Sequence, residues 1–330
     1  MKISVVIPTY NRVHFLQECL ESLEKQIFPK NDFEVVVVND GSKDSTEEFL
    51  RSFRNKTALN CTLITQENRG VSHARNVGIQ HAQGKYVAFS DDDCILPDNW
   101  LMRIYDHLES ADQDVAGIGG PLTSVSKNKD SLIGRFICYL DEFNYIPVTG
   151  KYLIRPVHIS KLHGNEHIPY LRTSNAGFRR ECLRQIGGFD INFTRPGGED
   201  PDLCYRLLNL NYNFYFDKNL RVLHQSRDSF TSYFRSLKNY LKGEILKSCK
   251  KNIYQNRTVR MTYTFIPAQK IISVLLSVFT YPVTSFRILK NRNYSLLHAL
   301  LFPGIILFSK IYALFLSSYF YIKYLKCRTF

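Results

Sequence analysis

Acidic residues are almost missing from the last third of this 330-residue chain. Residues 221–330 hold two of the 30 Asp and Glu, Asp228 and Glu244, against 18 of the 43 Lys and Arg. The formal net charge of +13 therefore divides into +16 on that third and −3 on the first 220 residues. A uniformly basic protein is excluded; a near-neutral globule with a basic tail is what remains. The eight cysteines (19, 61, 94, 138, 182, 204, 249 and 327) include no CxxC and no paired spacing. Cys19 and Cys204 fall on apolar faces of expected helices, where a free thiol is a small hydrophobe. A reducing cytosol is the expected compartment. No signal peptide is expected, because the sequence opens directly into the strand-like Ile3–Ile7. With 44% hydrophobic and 13% aromatic residues in 38.4 kDa, neither disorder nor a stapled mini-fold is tenable. There is room for one large domain or two ordinary ones.

What is present is an alternation. ISVVI (3–7), EVVVV (34–38), CTLIT (61–65) and YVAF (86–89) are short, β-branched and nearly uninterrupted, as buried parallel strands are. Between them run helical patterns. Phe15, Leu16, Cys19, Leu20 and Leu23 share one face, a second helix follows Asp44-Ser45, and a third spans about Val71 to His81 and stops at Gly84. Ser45 and Glu48 have the spacing of a capping box. The series predicts a doubly wound α/β layer with right-handed crossovers, in which ligands sit beyond the carboxyl ends of the strands.

Those ends carry polar loops: PTYNR (8–12), NDGSKDST (39–46), QENRGVSHARNVGI (66–79) and SDDDCILPDNW (90–100). Residues of roughly 121–170 show no clear period and read as an insertion over the site. Patterning returns with TSNAGFRRECLRQIGGFD (173–190) and RPGGEDPDLCYRLLNLNY (195–212). A strand pair near 213–223 then leads to His224, and a helix at about 229–250 closes the globule.

Three carboxylates in a row, Asp91, Asp92 and Asp93, are unfavourable at a strand end unless a cation joins them. On an extended turn Asp91 and Asp93 point the same way and suit one Mg²⁺ or Mn²⁺; the other reading is a solvated acidic turn. Asp40 could accept hydrogen bonds from a nucleobase or ribose edge, or form an Asx turn. Arg69 and Arg75 flank the third loop, where a guanidinium suits phosphate oxygens or is an ordinary surface charge. Glu199 and Asp200 follow Pro196-Gly197-Gly198 and open a helix whose positive end would keep an aspartate ionised, as a general base requires. Simple N-capping explains one acid there but not two.

In order, VVIPTYNR, VVVVNDGSKDST, NRGVSHARNVGI, the aspartate triplet with Trp100 seven residues beyond, SNAGFRR…GGFD and GEDPDLCYRL resemble glycosyltransferase family two over residues 1–225. These are the inverting nucleotide-sugar transferases of GT-A fold. The resemblance implies an α/β, Rossmann-like mixed sheet flanked by helices. It implies Pro8, Tyr10 and Asp40 as donor-nucleotide contacts, Asp91 and Asp93 as the metal–diphosphate motif, Asp200 as catalytic base and Glu199 as its acceptor-side neighbour. Arg206 and His224 fall where the family places groups that close on the donor phosphates, His224 counting with the metal set. Ser90 stands where relatives often carry an apolar residue, which leaves open which two aspartates hold the ion. The implied reaction takes a nucleotide-sugar donor and a glycan or lipid-linked acceptor hydroxyl, and inverts the anomeric centre, in cell-surface polysaccharide or glycolipid synthesis. The implied domains are 1–228, catalytic (1–120 binding the nucleotide sugar, 121–228 the acceptor), and 229–330, a basic, apolar helical extension.

That extension interleaves Tyr233, Phe234, Arg235, Lys238, Tyr240 and Lys242, then offers two marginal apolar stretches. Residues 271–286 are uncharged but broken by Pro282, and 293–322 hold Lys310 and Pro303. If both crossed a membrane, Arg287, Lys290 and Arg292 would face outside, against the positive-inside rule. Association with the cytoplasmic face of the cell membrane, peripheral, re-entrant or weakly spanning, is expected. The alternatives are a helical cap on the catalytic domain, a sugar-phosphate nucleotidyltransferase, and a nucleic-acid-binding protein using the tail. PTYNR lacks the glycines a nucleotidyltransferase loop needs, and the aliphatic runs of the tail are wrong for a solvated nucleic-acid groove.

Overall fold

The structure is a computed structural model that describes residues 1–128, 131–142, 170–225, 229–254, 281, 284–286, 288 and 295–326. Most of the expected insertion (143–169), the first apolar stretch up to residue 280 and nearly all of the 287–292 connector lie outside these residues.

Among the described residues, seven strands form a mixed sheet. β1 (Ile3–Thr9), β2 (Phe33–Asn39), β3 (Cys61–Thr65) and β4 (Tyr86–Ser90) are parallel in the order β3-β2-β1-β4. The order follows from the sequence pattern, each strand being joined to the next through a helix: α1 (Val13–Glu24), α2 (Thr46–Lys56) and α3 (Val71–His81). A two-residue strand β5 (Cys94–Ile95) and α4 (Trp100–Ser110) precede β6 (Val115–Gly119) and β7 (Leu122–Val125). The sheet is completed on the far side of β4 by β8 (Asn175–Arg179), antiparallel to both β4 and β6, and by β9 (Asn213–Phe216), parallel to β6. A second sheet has the order β5-β10-β7, where β10 is Val222–Gln225.

Period-two alternation divides the core into two layers. Ile3, Val5 and Ile7 with Phe33, Val35 and Val37 pack on α1 and α4 through Leu16, Leu20, Trp100 and Ile104. Val6, Val36, Val38 and Phe89 face the other way, toward α3 and toward α6 (Arg180–Gln185) and α7 (Glu199–Leu208), where Ala74, Leu183, Leu203 and Cys204 are buried. Cys19 and Cys204 are 0% exposed and free, the role their helical positions implied.

Three local expectations change. Asp44, not Ser45, caps α2: its Oδ1 accepts from Thr46 N at 3.1 Å, and Ser45 makes no side-chain cap bond. A carboxylate is the stronger acceptor, and its Oδ2 also takes the Val13 amide at 3.3 Å. β9 and β10 are not a strand pair; they belong to different sheets. The stretch without clear period begins with β7 and with α5 (Leu132–Glu142).

The described contacts separate two compact units. One holds Met1–Val125, β8, α6 and Glu199–Gln225; the other holds α5, α8 (Phe230–Tyr254) and α9 (Leu296–Lys326). The second unit has its own core, in which Ile133 and Phe136 of α5, Tyr233 of α8 and Ala299, Phe302 and Ile306 of α9 are buried.

Candidate active site

The carboxyl ends of β1, β2, β3 and β4 bring the four polar loops together. Asn11, just past β1, has φ 54°; its Oδ1 accepts from Lys43 N at 2.6 Å, and its own N–H reaches Ser42 Oγ at 2.9 Å. The first and second loops are thus tied at the cost of one left-handed residue. Asp40 ties the second to the third. Its Oδ1 accepts from Gln66 Nε2 (2.6 Å) and Arg69 N (2.9 Å), and its Oδ2 from Gly70 N (2.9 Å). Gly70 has φ 94°, and a Cβ there would lie 2.3 Å from the Thr194 carbonyl oxygen, so no other residue serves. Pro8 is buried in β1, Tyr10 is 36% exposed beyond its end, and the Arg69 side chain is exposed.

The aspartate triplet makes a tight turn rather than an extended one, with Cys94 N donating to the Asp91 carbonyl at 3.2 Å. Two of the side chains, Asp92 and Asp93, consequently converge on Arg12, and the third turns away. Asp92 Oδ2 accepts from Thr9 Oγ1 at 2.7 Å and its Oδ1 from Arg12 Nη1 at 3.0 Å; the same Nη1 lies 2.6 Å from Asp93 Oδ2. Burial, with the neighbouring charge of Asp93 adding to it, pushes Asp92 up to about 6 despite Arg12. Asp91 turns the other way, its Oδ1 accepting from Arg75 Nη2 at 2.8 Å. The cations that make the triplet tolerable are guanidinium groups of the chain itself.

Arg75 lies in α3 with its side chain 3% exposed, over the ring of Phe189 at 5.4 Å. Besides Asp91 it donates to Glu199 Oε1 at 3.1 Å and lies 3.8 Å from Asp200 Oδ1. Burial works against its charge, but Asp91, Asp200 and Glu199 more than offset that and raise its pKa. The residue read as a phosphate ligand is therefore surrounded by acids. Asp200, in the first turn of α7, accepts from Thr173 Oγ1 (2.6 Å) on Oδ1 and from Thr173 N (3.1 Å) on Oδ2. Burial raises its pKa above 3.8, against the pull of Arg75 and Thr173, which suits a group that must take up a proton. Arg206 is not drawn into this network. Its Nε donates to Asp202 at 2.9 Å and its Nη1 to the Ile186 carbonyl at 2.9 Å.

His224 is delivered by the small sheet. β10 pairs with β5 so that His224 stands opposite Cys94, and Nε2 comes 3.2 Å from Asp93 Oδ1. Asp93, Cys94 and His224 have ligand atoms within 4.8 Å of one another. Burial raises the Cys94 thiol well above its usual range, so it stays protonated. The remaining donors of this cluster are the His224 imidazole and the Asp93 carboxylate. Asp91 keeps Oδ2 without a partner among the described residues, on a side chain 29% exposed. One carboxylate and one imidazole, completed by oxygen donors from a diphosphate and water, fit a divalent ion of the Mn²⁺ class.

Residues 4–187 match glycosyl transferase family 2, and residues 155–227 match a second family described as the N-terminal domain of galactosyltransferase. The glycosyltransferase AglE of Haloferax volcanii is 37% identical over 225 residues, 68% of this chain and 67% of AglE. The chain belongs to glycosyl transferase family 2. It is a glycosyltransferase, and the nucleotidyltransferase and nucleic-acid-binding readings fall away. Within the family, the chondroitin synthase of Escherichia coli is 31% identical over 244 residues, 68% of this chain but 34% of the synthase. The poly(ribitol-phosphate) beta-N-acetylglucosaminyltransferase TarS of Staphylococcus aureus is 44% identical over 93 residues, 28% of this chain and 16% of TarS. The chain thus spans only a minor part of these two larger relatives.

Solved structures agree on the fold. The mannosyltransferase PcManGT of Pyrobaculum calidifontis, in complex with GDP-Man and Mn²⁺, superposes with a TM-score of 0.61 at 17% identity, covering 97% of this chain and 87% of PcManGT. GalNAc-T7 with UDP, GalNAc and Mn²⁺ gives 0.54 at 18% identity, covering 74% and 47%. The mixed sheet flanked by helices is the GT-A arrangement expected of family 2. Sequence reasoning gave no role to Arg12, Thr9 or Thr173, although all three lie in quoted motifs. Their partners are about 80 residues away for Arg12 and Thr9, and 27 away for Thr173, and only the assembled sheet makes the pairs.

Proposed function

We propose that this family 2 enzyme transfers a sugar from a nucleoside-diphosphate sugar to an acceptor hydroxyl in one inverting displacement, assisted by Mg²⁺ or Mn²⁺ at the aspartate turn. The observation that carries the reading is the Arg75 network, in which one buried guanidinium joins Asp91 of the donor-side turn to Glu199 and Asp200 of α7. Pro8, Tyr10, Asp40 and Arg69 line the loops where the nucleotide would lie. Asp91 and Asp93, with His224, would hold the divalent ion, which when bound would supply positive charge to the departing diphosphate. Asp200, oriented by Thr173, takes the proton of the attacking hydroxyl, and Glu199 stands on the acceptor side. Residues 1–228 act as the catalytic domain and 229–330 as an extension that holds the enzyme to the cytoplasmic face of the cell membrane.

The donors printed for PcManGT and for TarS, solved with UDP-GlcNAc, support a nucleotide-sugar donor. The polymers named for TarS and chondroitin synthase support a glycan or lipid-linked acceptor of the cell surface. The test is a thermal-shift screen of nucleotide sugars with Mn²⁺. A bound donor at a hundred times its Kd stabilises the fold by about 2.7 kcal/mol, so the preferred donor raises Tm and does so less in EDTA. No shift with any nucleotide sugar would contradict the proposal.

A further inference from the structure

α9 is apolar on both sides, and among the described residues only one side is covered. Ala299, Phe302, Ile306 and Ala313 are buried in cores shared with α5 and α8. Leu297 (59% exposed), Leu301 (37%), Phe308 (58%), Ile311 (43%), Phe315 (79%) and Tyr319 (57%) are not. At about 100° per residue these six fall within an arc of about 80°, and from Leu297 to Tyr319 they run about 33 Å. Gly304 lies in the same arc, and a Cβ there would find nothing nearer than the Tyr281 hydroxyl at 3.8 Å. Beside it is a groove of about 480 Å³ lined by Phe230, Phe234, Leu300, Leu301, Gly304 and Phe308, among others. Leu296–Ser317 has a mean hydropathy of 2.0, and the sole charge between residues 293 and 322, Lys310, is 6% exposed and off the stripe. A soluble monomer rarely leaves such a strip open to water.

We propose that α9 lies in the plane of a bilayer interface, its open stripe sunk among acyl chains and its other face on α5 and α8. This rests on the membrane reading above and adds the surface and the orientation. Charge selects the occupant. The last third carries +16, so an anionic lipid surface attracts it, whereas a second copy meeting the same face brings like charge to like. Packing selects the orientation. α8 lies along α9 through Leu237 and Leu241 against Ala313, and its Arg235, Lys238 and Lys242 are exposed. A spanning α9 would drag those charges into hydrocarbon, where they are costly; an in-plane α9 leaves them in water or among headgroups.

The experiment is flotation of the full chain with phosphatidylcholine vesicles, with and without phosphatidylglycerol, in low and in molar salt. Wild type should float with the anionic vesicles and be only partly released by salt. The variant F308S/F315S should lose the salt-resistant fraction, its partitioning falling by about tenfold or more for each phenylalanine removed. Its hydrolysis of nucleotide sugar should be unchanged, so failure of the stripe and failure of the transferase reading are separate outcomes. A Phe315→Trp probe, quenched by lipids brominated near the headgroup more than by those brominated at the chain end, reports an in-plane helix without loss of packing. Equal flotation of F308S/F315S and wild type would overturn the proposal. So would a wild-type dimer that this variant turns into a monomer with flotation intact, or stronger quenching at the chain end.

Discussion

At Arg75 burial and the charges of three acids oppose one another. A guanidinium with 3% of its side chain exposed would be intolerable alone, and so would Glu199 at 4% exposed. Replacing Arg75 by Met leaves the acids uncompensated and should lower unfolding stability by about 3–5 kcal/mol, read from urea denaturation. Lys at the same position should not restore it, because a point charge cannot serve Asp91 and Glu199 with two separate N–H groups. Asp200 gives the pH dependence. Its pKa is raised above 3.8 by burial, and the base works only when deprotonated. The acid limb of kcat/KM should therefore fall at a pH above the ordinary carboxylate value. The same shift means that its ionisation opposes folding: this contribution to stability is fully present below 3.8 and is lost as pH rises through the folded value. An acid limb at or below 3.8 would show that Asp200 is not the titrating base.

At the scale of elements, Asp44 ties the starts of α1 and α2 together through Val13 and Thr46. Asp44→Ala should cost about 1 kcal/mol at neutral pH by chemical denaturation. Burial alone would raise the Asp44 pKa, but the hydrogen bonds from Thr46 and Val13 hold it below 3.8. The stabilisation is then present above 3.8 and lost as pH falls through the lower folded value, so the gap between variant and wild type should close in acid. Such detail marks the limit of what the sequence revealed. β1, β2 and β4 were legible because both sheet faces are covered there, so each reads as a nearly unbroken apolar run, and the β-branched β3 at the partly exposed edge and the 71–81 helix followed from their spacing. β8 was not placed, because NAGFR is short and owes its central position to distant partners. Asn175 there is fully buried, donating to the Leu220 carbonyl at 2.6 Å and accepting from Trp100 Nε1 at 2.8 Å. The site was legible as loops and as residue types, from Asp40 to Asp200. Arg12 was missed and Arg75 was read as a phosphate ligand, since which cation faces which carboxylate depends on the turn at residues 91–94 and on the packing of α3 against α7.

Across the whole molecule charge is unevenly divided, +16 on the last 110 residues and −3 on the first 220. If the aspartate turn holds a divalent ion, excess EDTA should abolish transfer and Mn²⁺ should restore it. Asp93→Ala should be inactive yet still fold, because Asp92 keeps Arg12 paired when the Asp93 contact is lost. The central claim is that donor binding and proton abstraction reside in different loops of one site, and it is tested most directly in the Asp200→Asn variant. Turnover of the preferred nucleotide sugar should fall by about 10²-fold or more, while the donor-induced rise in Tm with Mn²⁺ stays that of wild type. Loss of the donor-induced shift, or turnover unchanged from wild type, would contradict it.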